Sequence, residues 1–164
     1  MAGKDNWHPR DYASLADIRA ELDRFENAHA SGQLRSTGKW SAAENLDHCG
    51  RWFKGAIDGI EFDLPVTFKV LGRVMIKPLI GKFKARPGLK QPKTALTQMD
   101  PQPGVTVEEG LALMRAQLDR LDAGEKMTKD SPLLGRMSHE KWLKVQLDHC
   151  RMHFGFIQCD TVGA

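Results

Sequence analysis

The sequence predicts an all-α protein: a four-helix bundle with an extra basic amphipathic helical segment and a proline-rich crossover between the second and third main helices. Four stretches carry apolar residues at the spacing of an amphipathic helix, and no stretch shows the alternation of a strand. With 164 residues, 41% hydrophobic and 27% charged, the chain is long enough to bury one core. We therefore expect a single domain over residues 1–164, in which residues 1–10 form a loose N-terminal arm with Trp7 as its anchor.

The first main helix is predicted from about Asp11 to Ala30. Its apolar stripe has alternating three- and four-residue spacing and consists of Leu15, Ile18, Leu22 and Phe25. His29 follows this stripe, and we interpret it as a helix-end histidine rather than a ligand. The loop that follows is predicted over residues 32–39.

The second main helix is predicted to begin after Ser41, which forms a capping box with Glu44, and to run to about Gly59. Its apolar stripe consists of Ala42, Leu46, Cys49, Phe53, Ile57 and Ile60. His48 lies on a different flank, together with Asn45 and Trp52. That flank is either the wall of a wet cavity or a solvent face.

A basic amphipathic helix is predicted over residues 66–83, broken near Pro78, with Lys69, Arg73 and Lys77 at four-residue spacing. Eight Lys or Arg and no acidic residue lie between positions 64 and 93. We favour a solvated basic face or a dimer contact over an anionic membrane surface. The same charges could instead guide an anionic substrate.

Residues 84–105 contain four of the eight prolines and are predicted to be an extended crossover. Thr106 and Glu109 form a second capping box, so the third main helix is predicted from there to about Gly124. Its apolar positions are Val107, Leu111, Met114, Leu118 and Leu121.

A turn is predicted at residues 131–135, and Ser138 is predicted to cap the last main helix, which extends to about Cys159. The residues predicted for its inner face fall within about 120° of arc. They are Trp142, Val145, Gln146, His149, Met152, His153 and Phe156.

The tetrapeptide Leu-Asp-His-Cys occurs twice, at residues 46–49 and 147–150, and each copy is followed four residues later by phenylalanine. The second copy also precedes another histidine, one helical turn after His149. Three imidazoles on two helices, His48, His149 and His153, are suited to hold a transition metal and leave a coordination position open. The alternative is that these are hydrogen-bonded core histidines.

Residues next to the histidines have plainer interpretations. Cys49 and Cys150 lie about 100° around the helix from their neighbouring histidines and are interpreted as small core residues. The amides of Asn45 and Gln146 could orient a bound water or substrate, or simply provide polar lining. The neighbouring aspartates, Asp47 and Asp148, point away from the histidine face and are expected to make surface or interhelix contacts.

Composition excludes several classes. The formal charge of +3 is too small to indicate a nucleic-acid partner, and no apolar run reaches the length of a membrane span. Residues 1–10 lack the apolar stretch of a signal peptide, and an odd count of three cysteines fits a reducing compartment. We therefore expect a cytoplasmic protein.

Residues 40–48 and 149–154, with the segment 131–142, resemble the DinB/YfiT-like superfamily of metal-binding four-helix bundles. The resemblance covers about residues 11–158 and is nearest to an uncharacterised bacterial branch of unknown function. It implies that His48, His149 and His153 bind a divalent metal whose shell is completed by water. It also implies homodimers and chemistry like that of the superfamily's thiol S-transferases. Met152 and Ser131 stand where that branch often has histidines.

The sequence therefore predicts a metal-dependent protein with a small-molecule substrate, either a thiol S-transferase-like or a hydrolytic enzyme. The metal is zinc, nickel, iron or manganese, because three imidazoles suit all four. No general base is evident, so no catalytic residue is named. The alternative function is a non-catalytic bundle that binds a small molecule or a protein and in which the histidines are structural.

Overall fold

Helices make up most of the part of the chain that the computed structural model describes, residues 6–61, 64–88 and 99–159. The helices are α1 Leu15–Ala30, α2 Ala42–Asp58, α3 Val66–Leu71, α4 Val107–Asp122 and α5 His139–Phe154. The strands are β1 Leu34–Ser36 and β2 Ile157–Cys159. The predicted helical class is confirmed, and none of the described helices is long and apolar enough to cross a lipid bilayer.

Side-chain caps set where the long helices begin. The predicted capping boxes at Ser41 and Thr106 are both formed, and the Ser138 hydroxyl caps α5. The first helix begins at Leu15, four residues later than predicted, because Ser14 forms a capping box with Asp17. Each cap satisfies backbone N–H groups that the first turn of a helix leaves without partners.

One core joins the four long helices, with α2 packed against α4 and α5, and α1 packed against the same two helices. The predicted apolar stripe of α2 is buried, apart from Ile60 at its end, which is partly exposed. The largest fully buried apolar side chains are Trp142, Phe25, Phe53, Phe154, Ile18, Leu22, Leu46, Met114, Leu118 and Met127. The core therefore fixes how α2 and α5, the two histidine-bearing helices, face each other.

Glycines bring α2 and α4 unusually close together. A Cβ atom on Gly110 would lie 2.8 Å from the Cβ of Leu46 and 3.1 Å from the carbonyl oxygen of Ala43. In the same interface, a Cβ on Gly50 would lie 2.7 Å from the Cγ of Leu113. Packing at this density leaves no room for a methyl group without movement of the helices.

The last helix ends five residues before the predicted position. It stops at Phe154, and residues Ile157–Cys159 form β2, which pairs antiparallel with β1 in the segment predicted to be a loop. The Trp7 indole lies against the Cα of Gly155 and donates a hydrogen bond to the carbonyl oxygen of Met152 at 2.9 Å. The chain end therefore gains sheet hydrogen bonds and a tryptophan contact that a longer helix would lack.

The basic segment is helical in three short pieces: α3, a π-helical turn at Gly72–Ile76 and a 3-10 turn at Lys77–Leu79. Pro78 has no N–H to donate, which accounts for the predicted break. In the described residues, every large hydrophobic side chain that is exposed lies between Val66 and Phe83. Residues 84–88 and 100–105 are not helical, as the crossover prediction requires, whereas Met99 is helical and departs from it. Residues 89–98 of the crossover lie outside the described residues.

We predict that Gly110→Ala destabilises the protein, although alanine is a better helix former than glycine by about 1 kcal/mol. The added methyl group would overlap the base of Leu46, and overpacking of this kind costs about 1–3 kcal/mol. Urea unfolding monitored by circular dichroism measures the change.

Ala116→Gly, at an exposed position of α4, is the control. It should lower stability by about 1 kcal/mol through helix propensity alone. A Gly110→Ala protein that is more stable than wild type would contradict the close approach of α2 and α4.

Candidate metal centre

The three histidines predicted from the sequence lie together between α2 and α5. His48 comes from α2, and His149 and His153 come from successive turns of α5. One ligand nitrogen from each ring lies within 4.8 Å of the other two, and the Nε2 atoms of His48 and His149 are 3.2 Å apart. Nitrogens bound tetrahedrally to one zinc ion are about 3.4 Å apart, so a small closure of the rings would suffice.

A backbone carbonyl fixes the tautomer of His48. Its Nδ1–H donates to the carbonyl oxygen of Met99 at 2.5 Å, which leaves the lone pair on Nε2, the atom next to His149. The segment that follows Met99 is held by Asp47, whose carboxylate accepts from the N–H of Gln102 at 2.9 Å and from Arg51 at 2.7 Å. The His48 ring is buried, at 5% exposure.

An asparagine fixes the tautomer of His153 in the same way. The Asn45 side-chain N–H group donates to the carbonyl oxygens of Ser41 at 2.9 Å and Trp40 at 3.2 Å, so its Oδ1 is the free acceptor. That oxygen lies 3.2 Å from Nδ1 of His153, which therefore carries the proton. The lone pair of His153 is left on Nε2.

His149 is the histidine whose hydrogen bonding is incomplete. Its Nδ1 is buried and has no hydrogen-bond partner among the residues that the structure describes. If Nδ1 carries the proton, the Nε2 lone pairs of His48 and His149 face each other across 3.2 Å and repel. If Nε2 carries it, a buried acceptor is left empty, at a cost of about 1–3 kcal/mol. A cation shared by the two Nε2 atoms would remove the repulsion of the first tautomer.

The pKa values of all three imidazoles are low. Burial lowers the pKa of His48 to about 4, against an ordinary value of 6.5. Burial also holds the pKa of His149 well below its usual range, with smaller contributions from His153 and His48. The pKa of His153 is lowered by burial and by His48. The rings are therefore neutral at pH 7 and have lone pairs available to a metal.

Two tryptophans pack against the histidine group. Trp40 stacks on His153, with ring centroids 5.4 Å apart and planes 14° apart, and its centroid is 4.7 Å from that of His48. Trp52 meets His149 edge to face at 5.4 Å. The indole N–H of Trp52 is buried and has no hydrogen-bond partner in the described part of the chain. The surroundings of the three imidazoles are thus mostly apolar.

The other residues considered in the sequence occupy different positions relative to the three histidines. The Cys49 and Cys150 side chains are fully buried in the core, as predicted, and burial next to the Cys150 thiol raises the pKa of Cys49. Gln146 donates to the carbonyl oxygen of Trp52 at 2.9 Å, while its own side-chain oxygen is buried and has no partner among the described residues. His29 lies away from the site and pairs with Glu108 on the surface, as a helix-end histidine would.

The aspartates do more than sequence reasoning anticipated. Asp148 accepts a hydrogen bond from the backbone N–H of Ala85 at 2.7 Å, just as Asp47 accepts from that of Gln102. Both aspartates therefore hold ends of the predicted crossover, and the repeated aspartate was the available signal. Nothing in the sequence indicated the hydrogen bond to His48, because Met99 accepts it through its backbone carbonyl. For Trp40, the sequence indicated only a position just before the Ser41 cap and did not predict its stacking on His153.

The fold and the site define a helical protein with a group of three histidines, one buried and two partly buried, that could hold a metal ion. The chain belongs to the family described as protein of unknown function (DUF1569), whose model matches residues 8–159. No match was found among curated proteins or among solved structures.

We predict that Asn45→Ala weakens metal binding by about 10- to 100-fold, as loss of a ligand's hydrogen-bond partner typically does. The substitution removes the acceptor that orients His153. Competition with a fluorescent zinc chelator measures the affinity.

Gln117→Ala is the matched control, because Gln117 is a buried amide in α4 that bonds to Leu113 and Arg120, away from the histidines. Equal metal affinity in the Asn45→Ala and Gln117→Ala proteins would contradict a role for Asn45 in positioning His153.

We predict that metal-free protein loses stability as the pH falls from 6.5 towards 4. The unfolded chain binds a proton at each histidine near pH 6.5, whereas folded His48 does so only near pH 4. Between these values the unfolded state holds more protons, so the free energy of unfolding falls with pH, by about 3 kcal/mol for His48. Above pH 6.5 the contribution is complete.

Urea midpoints across this range, for wild type and His48→Gln after chelator treatment, test the effect. The wild-type advantage over the variant should shrink as the pH falls. A difference that stays constant from pH 7 to pH 4.5 would show that His48 is not held neutral by burial.

Proposed function

We propose that this protein is a divalent-metal protein in which His48, His149 and His153 are the ligands. The observation that carries the proposal is that one ring nitrogen from each of the three histidines, on two different helices, lies within 4.8 Å of the other two. A DinB/YfiT-like four-helix bundle is the proposed arrangement of α1, α2, α4 and α5, supported by one core shared among them. Homodimers and a cytoplasmic location remain predictions of the sequence.

The donor set fits a first-row transition metal. Three neutral imidazoles suit zinc, nickel, iron and manganese, and a three-ligand site leaves coordination positions for water or substrate. Second-layer hydrogen bonds to Met99 and Asn45 orient two of the rings, an arrangement typical of metal-bound histidines. Membership in a family of unknown function leaves the choice of metal open to experiment.

The reaction proposed for this site is transfer of a small thiol or hydrolysis of a small molecule. A bound metal would supply Lewis acidity and lower the pKa of a coordinated thiol or water. The chain itself supplies orientation through Asn45 and the Met99 carbonyl, and exclusion of water through Trp40 and Trp52. A low-polarity wall strengthens electrostatic interactions within the site.

A non-catalytic binding role is the second candidate, and one observation favours it. In the described residues, the hydrogen-bond and ring partners of the three histidines are a carbonyl, an amide, tryptophans and each other. No carboxylate or hydroxyl among them is placed to act as a general base. In this role the histidines would be structural, and small-molecule or protein binding would not need metal.

We expect purified, untagged protein to hold close to one equivalent of metal, and His153→Ala to lose it. Plasma mass spectrometry of both proteins measures the content. Metal in hundredfold excess over its dissociation constant would stabilise the wild type by about 2.7 kcal/mol through mass action. A thermal shift with each of the four candidate metals shows which one binds best.

His29→Ala is the matched control, since His29 lies on the surface paired with Glu108. It should retain the metal. Wild-type protein that stays metal-free after reconstitution, with no thermal shift, would overturn the metal proposal and favour the non-catalytic role. Bound metal without turnover in thiol-transfer and hydrolysis screens would remove only the proposed reaction.

A further inference from the structure

A cleft of about 620 Å³ lies between the segment at residues 76–85 and α5. Its walls are mostly apolar and include Leu79, Phe83 and Val145, and His149 also lines it. The cleft therefore reaches a member of the histidine group from the side of α5. This volume falls in the range of small-molecule sites, which are commonly apolar clefts with a few polar groups.

Positive charge predominates at the cleft. Four cationic side chains and two acidic ones line it. Asp11 pairs with Lys84 and Arg151, whereas Asp148 accepts from the N–H of Ala85 through Oδ2 and has its Oδ1 3.9 Å from Nη1 of Arg151. Lys82 and Lys144 also line the cleft, and neither has a carboxylate within 4.0 Å in the described part of the chain.

The backbone brings one of these lysines into place. Gly81 has a φ of +79°, which glycine adopts without the steric cost that other residues incur. A Cβ atom at Gly81 would lie 3.1 Å from Cδ and 3.7 Å from Nζ of Lys144. The Lys144 stem thus packs along the segment that forms the opposite wall, with its ammonium group at the cleft.

We propose that this cleft binds a free amphipathic anion: a small molecule with an apolar body and a carboxylate or sulfonate end. The apolar walls would take the body, and Lys144 and Lys82 would take the charged end. Its use as a substrate site beside His149 rests on the proposed metal function, whereas the binding itself does not.

Fluorescence titration with anilinonaphthalene sulfonate, on metal-free protein, tests the binding, and dodecanoate serves as the competitor. Lys144→Glu should weaken the affinity about tenfold, since it replaces attraction by repulsion at close range. Val145→Phe should weaken it comparably by filling the cleft. Circular dichroism and urea unfolding establish that each variant is folded, because partly unfolded protein also binds this probe.

Two controls match these changes. Lys141→Glu makes the same charge change one helical turn earlier on α5, outside the cleft, and Val74→Ser removes an exposed apolar side chain that does not line it. Both should bind the probe as wild type does. Equal binding by Lys144→Glu, Val145→Phe and wild type, or loss of binding in Val74→Ser, would overturn the proposal.

Two further results separate this proposal from others. His153→Ala should lose metal but keep probe binding, so failure of the metal site and failure of the cleft give different outcomes. Free dodecanoate should compete with the probe without lipid present. Binding seen only with vesicles of anionic phospholipid, and not with free anions, would overturn the proposal that the cleft binds a free anion. It would favour a membrane-surface role for the basic segment.

Discussion

The contact between the two Leu-Asp-His-Cys copies is the constraint on which the candidate site depends. Residues 46–49 and 147–150 meet where α2 packs on α5. Each position of the motif makes a different kind of contact. The leucines and cysteines enter the core, the histidines face each other, and the aspartates hold loop backbone. A shift of either helix would therefore disturb core, site and crossover together. The close packing of Gly110 against Leu46 fixes α2 from its other side.

Burial gives the histidine group its chemical character. An apolar wall of tryptophans and core residues makes protonated imidazole costly, so the rings stay neutral where free histidines would begin to charge. Neutral rings need hydrogen-bond partners, and Asn45 and the Met99 carbonyl supply two of the three. Within the described ranges, Nδ1 of the third ring, His149, has no hydrogen-bond partner, which is uncommon for a buried polar atom.

The sequence predicts much of this arrangement, because periodicity and capping are local properties. Helical spacing places His149 and His153 on one face, and the repeated tetrapeptide adds His48, so the trio is predictable without a structure. The end of α5 is not, since β2 forms only where β1 is available to pair with it. The role of Met99 is hidden for a similar reason: a carbonyl carries no side-chain signal, and its position depends on tertiary contacts.

The segment that forms one wall of the cleft is attached partly through charges, and Ile80 in it packs against the core. Lys77 donates to the carbonyl oxygen of Arg136, Lys84 pairs with Asp11, and Ala85 is held between Asp148 and Arg151. Exposed ion pairs weaken as dissolved salt screens them, whereas apolar packing does not. Ionic strength is thus a variable that acts on the charged attachments of this wall and much less on the apolar packing of the core. The width of the cleft would then follow the salt concentration around the protein.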